Sequence, residues 1–99
     1  MKPLVWITGA GGLIGSYLVR TADRWAPERA VRGLTRQDLD LTDEAAVRRL
    51  WREDQPALII HCAAISRPAV CEQDQGTARN VNIDATALLV SLEIGRAHV

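Results

Sequence analysis

A glycine-rich segment near the amino terminus has the composition of a turn that binds phosphate. Gly9, Gly12 and Gly15 are spaced three residues apart and follow the apolar run Leu4–Ile7. Glycine has no Cβ atom, so it adopts positive φ easily and lets a ligand approach the main chain. If a helix begins here, its unpaired amides and the positive end of its dipole face the ligand. The segment predicts a diphosphate site: Gly9 makes the turn, Gly12 admits the diphosphate, and Gly15 lets the helix approach the sheet.

The spacing of these glycines differs from the G-x-G-x-x-G fingerprint of dinucleotide-binding folds, although Gly11 adds a closer pair. The alternative is a tight turn that binds nothing. A strand before the turn, an amphipathic helix after it and its position near the amino terminus all favour the binding site. The segment is not a P-loop, because the Lys-Ser/Thr pair of that motif is missing.

The composition is that of an ordinary globular protein. The 99 residues carry 12 basic and 12 acidic side chains, so we expect no general affinity for nucleic acid or for an anionic membrane. No apolar run is long enough to span a bilayer, and the first residues lack a signal-peptide core. Cys62 and Cys71 form no metal-binding pattern with the two histidines, which indicates reduced thiols in a cytoplasmic protein and no metal site.

Strands and helices are predicted to alternate along the chain. Strands are expected at Leu4–Thr8, Ala30–Leu34 and Ala57–Ala64, the last being a continuous apolar run typical of a strand buried on both faces. Helices are expected at about 12–25, at about 42–54, and from a start between 74 and 79 to beyond residue 92.

The first two helices each carry an apolar stripe that should face the sheet. In the first helix the stripe consists of Leu13, Ile14, Tyr17, Leu18 and Thr21. In the second it consists of Ala46, Val47, Leu50 and Trp51, after the cap formed by Thr42-Asp43-Glu44 and before Pro56.

The alternation of elements indicates a doubly wound α/β sheet of the Rossmann type with right-handed crossovers. Ligands of such sheets bind at the carboxyl ends of the strands. The glycine turn, the Thr35-Arg36 corner and the Ala63-Ala64 corner should therefore meet at one site.

Four segments resemble the extended short-chain dehydrogenase/reductase superfamily. They are Thr8–Gly15, which matches a TGxxGxxG motif, Asp40-Leu41-Thr42-Asp43, His61-Cys62-Ala63-Ala64 and Asn80–Thr86. The short second connection is most similar to the dTDP-4-dehydrorhamnose reductase branch. The resemblance covers about residues 2–92 and implies the incomplete N-terminal part of an NAD(P)-binding Rossmann domain. It implies cofactor contacts from Gly9, Gly12, Leu13, Ile14, Gly15, Asp40, Leu41, Ala63 and Ala64.

The end of the second strand bears on which dinucleotide binds. The stretch from Arg32 to Arg36 has no acid that could accept a hydrogen bond from a ribose 2′-hydroxyl. An arginine can instead pair with a 2′-phosphate, so we expect NADP(H) to be favoured over NAD(H), with Arg36 as the phosphate ligand. The alternative is that Arg36 is a solvated loop residue. For Asp40, an adenine contact and a turn residue ahead of the helix are equally open.

No residue of this chain is expected to be catalytic. The superfamily transfers a proton through a Tyr-x-x-x-Lys pair, whereas the only tyrosine here is Tyr17 and the only lysine is Lys2. His61 follows two isoleucines and is expected to be a buried, hydrogen-bonded structural histidine. The 99 residues alone are therefore predicted to be inactive.

The last residues, Ile94–Val99, break the apolar pattern of the final helix. The codons ATC GGA AGA GCA CAC GTC, followed by TGA, would encode them, and that string matches a common sequencing-library adapter. We therefore expect a truncated domain at 1–92 and a non-native tail at 93–99. In the usual 3-2-1-4 strand order, a missing fourth strand would leave one edge of the first strand unpaired, and we expect a broad thermal transition.

Three functions are compatible with these observations. The leading one is an NADP(H)-dependent reductase of a nucleotide-activated 4-keto-6-deoxysugar, with this chain as its cofactor-binding portion. A sugar-nucleotide epimerase or dehydratase that uses NAD is the enzymatic alternative. A non-catalytic regulatory subunit that binds a dinucleotide is the alternative from a different class. The pattern indicates no oligomeric state.

Overall fold

The computed structural model describes the backbone of residues 2–62 and 75–97, and the side chains of residues 2–62 and 84–95. Strands β1 (Leu4–Thr8), β2 (Ala30–Leu34) and β3 (Leu58–His61) alternate with helices α1 (Leu13–Arg20), α2 (Ala22–Trp25), α3 (Glu44–Asp54) and α4 (Gln75–Ala97). The chain divides into two compact units, residues 1–63 and 64–99. The first unit contains every element from β1 to β3, and α4 belongs to the second.

The three strands form a parallel sheet in the order β2-β1-β3. Leu4 lies opposite Ala30 in β2, and Val5 lies opposite Leu58 in β3. The Rossmann-like α/β fold class is confirmed, but the expected unpaired edge of β1 is wrong. The short connection after β2 leads into α3 without a further strand, and the chain then returns on the other side of β1.

The central strand forms the core of the first unit. Val5, Trp6 and Ile7 are completely buried, because β1 has a neighbouring strand on each side. In β3, by contrast, Leu58 is 42% exposed, and the strand is shorter than the expected range Ala57–Ala64. The expectation of burial on both faces is wrong for β3, in which the residues after Leu58 are only partly buried.

The first helical region is interrupted, contrary to the single helix expected at 12–25. α1 ends at Arg20, and α2 begins after Thr21, whose φ of −102° and ψ of 7° depart from the helix. Thr21 Oγ1 donates to the carbonyl of Tyr17 at 2.8 Å. Such side-chain bonds to the backbone compete with the regular helical pattern. Trp25 Nε1 donates to the carbonyl of Leu18 at 3.0 Å and so ties α2 to α1.

Three of the five residues expected in the apolar stripe of the first helix are exposed. Leu13, Ile14 and Tyr17 are 87%, 67% and 57% exposed. α1 instead approaches the sheet where side chains are small or absent, since a Cβ added to Gly33 of β2 would lie only 2.8 Å from Val19 Cγ2. The expectation is wrong for Leu13, Ile14 and Tyr17, whereas Leu18 and Thr21 are partly buried. The absence of a side chain at Gly33 leaves room for Val19 of the helix.

Helix α3 begins and ends through local signals that the sequence displays. Asp43 is the N-cap, and its Oδ1 accepts a hydrogen bond from the Ala46 amide at 3.1 Å, as expected of an acidic cap. Val47 is completely buried. The other three expected core residues of this helix, Ala46, Leu50 and Trp51, are partly buried. Gln55 ends the helix in the left-handed region with a φ of 48°.

The carboxyl end of α3 is joined to two neighbouring strands. Asp54 Oδ2 accepts from Trp6 Nε1 at 2.8 Å and from Arg32 Nη1 at 2.6 Å. Trp6 and Arg32 lie opposite each other in the β1–β2 register, so one carboxylate oxygen bridges adjacent strands. This bridge fixes the end of α3 against the sheet.

Helix α4 starts at Gln75, within the expected interval, and continues to Ala97. It therefore extends through residues 93–97, beyond the point at which the apolar pattern breaks. Within the described ranges, no helix combines the length and the apolar character needed to cross a membrane. The interpretation of residues 93–99 as a non-native tail stays a prediction.

Candidate functional site

The glycine turn after β1 is a tight, hydrogen-bonded structure. Gly9 has a φ of 67°, in the region that favours glycine. The Gly12 amide donates to the Gly9 carbonyl at 3.0 Å and closes the turn. The Ala10 amide donates to the Leu34 carbonyl at 3.2 Å, which places the turn beside the end of β2.

The amino terminus of α1 has the character of an anion site. Gly12 is the N-cap and supplies no side-chain hydrogen bond, and the first turn contains no acid. The first amides of a helix have no partner within the helix, and the helix dipole adds positive potential there. The adjoining Leu13 and Ile14 are exposed. This end of α1 can receive a phosphate oxygen through its backbone amides.

Close packing between the turn and the helix depends on Gly15. A Cβ added to this residue would overlap the Gly9 carbonyl group, lying 2.7 Å from its carbon, and would be 3.0 Å from Ala10 Cα. At Gly12, in contrast, an added Cβ would meet only the Gly9 oxygen at 3.4 Å. The fold therefore requires glycine at position 15, whereas a Cβ at position 12 would make an ordinary van der Waals contact.

The corner after β2 contains an acid that the sequence interpretation overlooked. Asp38 Oδ2 accepts from the Thr35 amide and from Thr35 Oγ1, both at 2.9 Å. The amide of Asp38 donates to the Thr35 carbonyl at 3.1 Å. The carboxylate is thus held at the residue that directly follows β2. The expectation of an acid-free corner is wrong, because the turn brings back an acid from three residues further along the chain.

Hydrogen bonds keep the carboxyl groups of this corner ionised. The Thr35 amide, with further help from its hydroxyl, lowers the pKa of Asp38 below the usual value for aspartate. The Thr42 hydroxyl, followed by its amide, similarly lowers the pKa of Asp40. Both side chains are exposed, so they present negative charge to solvent at neutral pH.

Asp40 has the contacts of a turn residue. Its Oδ1 accepts from Thr42 Oγ1 at 2.6 Å and from the Thr42 amide at 2.9 Å. Arg36 is exposed, and its charge contributes to the lowered pKa of Asp40. Leu41, the next residue in the matching motif, is partly buried. The structure supports the turn role for Asp40, and an adenine contact stays a prediction.

His61 at the end of β3 is hydrogen-bonded, as expected. Its Nδ1 lies 2.6 Å from Thr8 Oγ1, directly across the β1–β3 register. The Cys62 amide donates to the same hydroxyl oxygen at 3.0 Å, so the Thr8 hydroxyl links the ends of the two strands. Partial burial lowers the pKa of His61, which favours the neutral imidazole. The contacts are those of a structural histidine.

The described residues bring together two of the three expected corners. The glycine turn lies beside the corner after β2. The Ala10 amide donates to the Leu34 carbonyl, and a Cβ added to Gly11 would lie 3.8 Å from Thr35 Cγ2. Ala63 and Ala64, the third corner, lie outside the described residues, as does the following loop. For Asn80–Thr86 the helical backbone is confirmed, but the side chains up to residue 83 are not described.

This chain is similar to a known protein family and to several known proteins. A model of the RmlD substrate binding domain family matches residues 1–94. A dTDP-4-dehydrorhamnose reductase from Streptomyces griseus is 38% identical over 81 residues, which cover 82% of this chain and 26% of that protein. The beta subunit of methionine adenosyltransferase 2 from Danio rerio is 36% identical over 90 residues, covering 86% of this chain and 28% of that protein.

A solved structure shares both the fold and part of the sequence. The dTDP-4-dehydrorhamnose reductase of Bacillus anthracis, determined in complex with NADP, superimposes with a TM-score of 0.70 and 33% identity over 79% of this chain and 27% of that one. The present chain spans about a quarter of the length of the curated relatives it matches. The match to the family model, over residues 1–94, includes the glycine turn and the corner after β2.

Proposed function

We propose a function for this chain on the basis of its family. The chain belongs to the RmlD substrate binding domain family, within the extended short-chain dehydrogenases/reductases. We propose that it is the dinucleotide-binding portion of an NADP(H)-dependent reductase, whose substrate is a nucleotide-activated 4-keto-6-deoxysugar. The observation that carries this proposal is the glycine turn at the uncapped start of α1.

The residues of the turn fit a dinucleotide diphosphate. A Cβ at position 12 would lie 3.4 Å from the Gly9 carbonyl oxygen, an ordinary van der Waals contact, and the first amides of α1 have no partner within the helix. Gly12, Leu13 and Ile14 would hold the diphosphate through their backbone. Gly9 and Gly15 would support this arrangement by fixing the turn against the helix.

The remaining cofactor contacts extend from this turn. Arg36 would pair with the 2′-phosphate of NADP(H), and Asp40, Leu41, Ala63 and Ala64 would line the rest of the dinucleotide. When bound, the nicotinamide supplies a hydride to the keto carbon of the sugar. The proton would come from a Tyr-x-x-x-Lys pair in the part of the parent protein that this chain does not include, so the 99 residues alone would be inactive. We place the protein in the cytoplasm, where Cys62 stays reduced.

Isothermal titration of the 99-residue chain with NADPH tests the binding proposal. We expect binding by the wild type and at least a tenfold loss in Gly12→Ala, because the added methyl occupies the space of the diphosphate. Gly95→Ala is the matched control, since nothing lies within 4 Å of its added Cβ. Absence of NADPH and NADH binding by a folded wild-type chain would contradict the proposal.

A second candidate function is a regulatory subunit that binds the dinucleotide without turnover. The similarity to the beta subunit of methionine adenosyltransferase 2 favours it, since that identity is comparable with the identity to the reductase. Expression of the complete protein from the genomic locus separates the two candidates. NADPH oxidation dependent on a dTDP-4-keto-6-deoxysugar supports the reductase, whereas dinucleotide binding without any turnover supports the regulatory subunit.

A further inference from the structure

The exposed side of α1 is apolar and carries little charge. Leu13, Ile14 and Tyr17 are 87%, 67% and 57% exposed, and their spacing of three and four residues places them on one side of the helix. Arg20, in the last turn, is the one charged residue of α1. An exposed apolar surface with few charges is typical of a protein–protein interaction site. We call Leu13, Ile14 and Tyr17 the α1 patch.

Side-chain contacts identify the face of the sheet on which α1 packs. A Cβ added to Gly33 of β2 would lie 2.8 Å from Val19 of α1, and Ile7 is the register partner of Gly33 in β1. Asp54 of α3 instead accepts a hydrogen bond from Trp6, the residue before Ile7. Successive residues of a strand point to opposite faces of the sheet, so α1 and α3 lie on opposite faces.

Strand β3 adds an exposed apolar side chain to the face that carries α1. Leu58 lies opposite Val5, which points to the same face as Ile7 because the two are separated by one residue. The contacts of α1 with the sheet fall mainly on β1 and β2. Val5 and Ile7 are completely buried, whereas Leu58 is 42% exposed. This face of the sheet is therefore covered at β1 and partly exposed at β3.

Two copies of the chain have the surfaces needed to cover each other. A helix with an apolar side is an element that covers the face of a sheet, and each copy exposes both the α1 patch and Leu58. In a twofold symmetric dimer the same surface is used by both subunits, so each contact occurs twice. The exposed parts of the α1 patch and Leu58 amount to roughly 500 Å² per copy, or about 1,000 Å² in a dimer, which is the low end for a specific interface.

We infer that this face docks a second copy of the chain, with the α1 patch of each protomer packed over Leu58 of its partner in a reciprocal dimer. The small area corresponds to reversible association and not to a permanent dimer. The inference does not depend on the proposed dinucleotide site, because it uses apolar side chains and not the backbone amides of α1.

Sedimentation velocity of the 99-residue chain over a hundredfold range of concentration tests this inference. We expect the wild type to pass reversibly from monomer to dimer as its concentration rises. Tyr17→Lys and Leu58→Glu should each weaken the dimer by roughly tenfold or more, because each places an unpaired charge in the interface. Val90→Lys is the matched control, at a 51% exposed apolar position of α4, and should leave the association unchanged.

A mixture of the two variants tests whether the contact is reciprocal. In a mixed dimer the introduced lysine faces the introduced carboxylate at one contact, while the other contact keeps its native residues. An equimolar mixture of Tyr17→Lys and Leu58→Glu should therefore associate more tightly than either variant alone. Far-ultraviolet circular dichroism reports the folding of each variant. Tyr17→Lys, at the more exposed position, decides the result if Leu58→Glu does not fold.

Three results would overturn the inference. The first is a wild type that stays monomeric over the whole range of concentration. The second is association that Val90→Lys abolishes and Tyr17→Lys leaves intact, since that result places the interface on α4. The third is assembly into more than two copies, or a mixture of folded variants that associates no better than its components, because either result excludes a reciprocal dimer.

Discussion

The glycine turn and the corner after β2 lie side by side, yet the chain builds them in opposite ways. The turn is formed by the backbone and requires a residue without a Cβ atom, because a Cβ added to Gly15 would overlap Gly9. The corner is made of side chains that bond to nearby backbone, with Asp38 on Thr35 and Asp40 on Thr42. A backbone turn tolerates no added atom at its tightest point, whereas a corner built from side chains can be altered one residue at a time.

The largest effect is expected in the turn, where Gly15→Ala should lower the free energy of unfolding by about 3 kcal/mol. The added Cβ overlaps the Gly9 carbonyl group, so the backbone must move apart. Urea denaturation followed by tryptophan fluorescence measures the change. Gly12→Ala is the control and should change stability by less than about 1 kcal/mol. If Gly12→Ala lowers the free energy of unfolding as much as Gly15→Ala does, the steric requirement for glycine is not specific to position 15.

The hydrogen-bonded bridge between α3 and the sheet provides a reference for folding alone. Asp54→Ala should cost about 2 kcal/mol, because it leaves the Nε1 of the completely buried Trp6 without its acceptor. Arg32→Ala should cost less than about 1 kcal/mol, since the Arg32 side chain is 45% exposed and its ion pair with Asp54 is largely screened. Thermal denaturation of the two variants measures this order. The reverse order would indicate that the ion pair, not the indole hydrogen bond, fixes α3.

An intermediate effect is expected where a side chain caps the helix that follows the corner. Asp43→Ala removes the acceptor of the Ala46 amide and should lower the free energy of unfolding by about 1 kcal/mol. Asp43→Asn, which can accept the same hydrogen bond, should retain most of the stability. Urea midpoints of the three proteins test this. If Asp43→Ala lowers the free energy of unfolding as much as Gly15→Ala does, the proposed difference between the backbone turn and the side-chain corner is wrong.

The smallest effect is a pH dependence at the end of β3. Because burial lowers the pKa of His61 in the folded state, the unfolded chain takes up a proton more readily. Stability should therefore be complete above about pH 6.5 and should decline as the pH falls below that value. Urea midpoints at pH 7.5 and 5.5 reveal the slope, and His61→Asn should reduce it. An unchanged slope in that variant would assign the pH dependence to other groups.

Local signals explain which features the sequence alone could predict. The apolar run of β1 and the start of α3 within Thr42-Asp43-Glu44 depend on neighbouring residues, and both are confirmed. The burial of α1 depends on the contact of Gly33 with Val19, which joins residues distant in sequence. Apolar periodicity cannot reveal that contact, so Leu13, Ile14 and Tyr17 were expected on the wrong side.

The strand order and the Asp38 corner were missed for different reasons. The order β2-β1-β3 depends on which edge of β1 pairs with the strand that follows α3, and no local sequence pattern indicates that edge. The Asp38 corner did leave a signal, because threonine followed three residues later by an acid is the pattern of a side-chain cap. No helix begins at this pattern, so only the structure shows that Thr35 and Asp38 close a turn at the carboxyl end of β2.

The strand order also bears on how the protein can fold during its synthesis. β1 leaves the ribosome before β2 and β3, and both of these hydrogen-bonding neighbours end by residue 61. The centre of the sheet can therefore close while later residues are still being added, since domains generally fold as the chain emerges. The glycine turn gains its support from β2 at an early stage of translation, before α4 has been made.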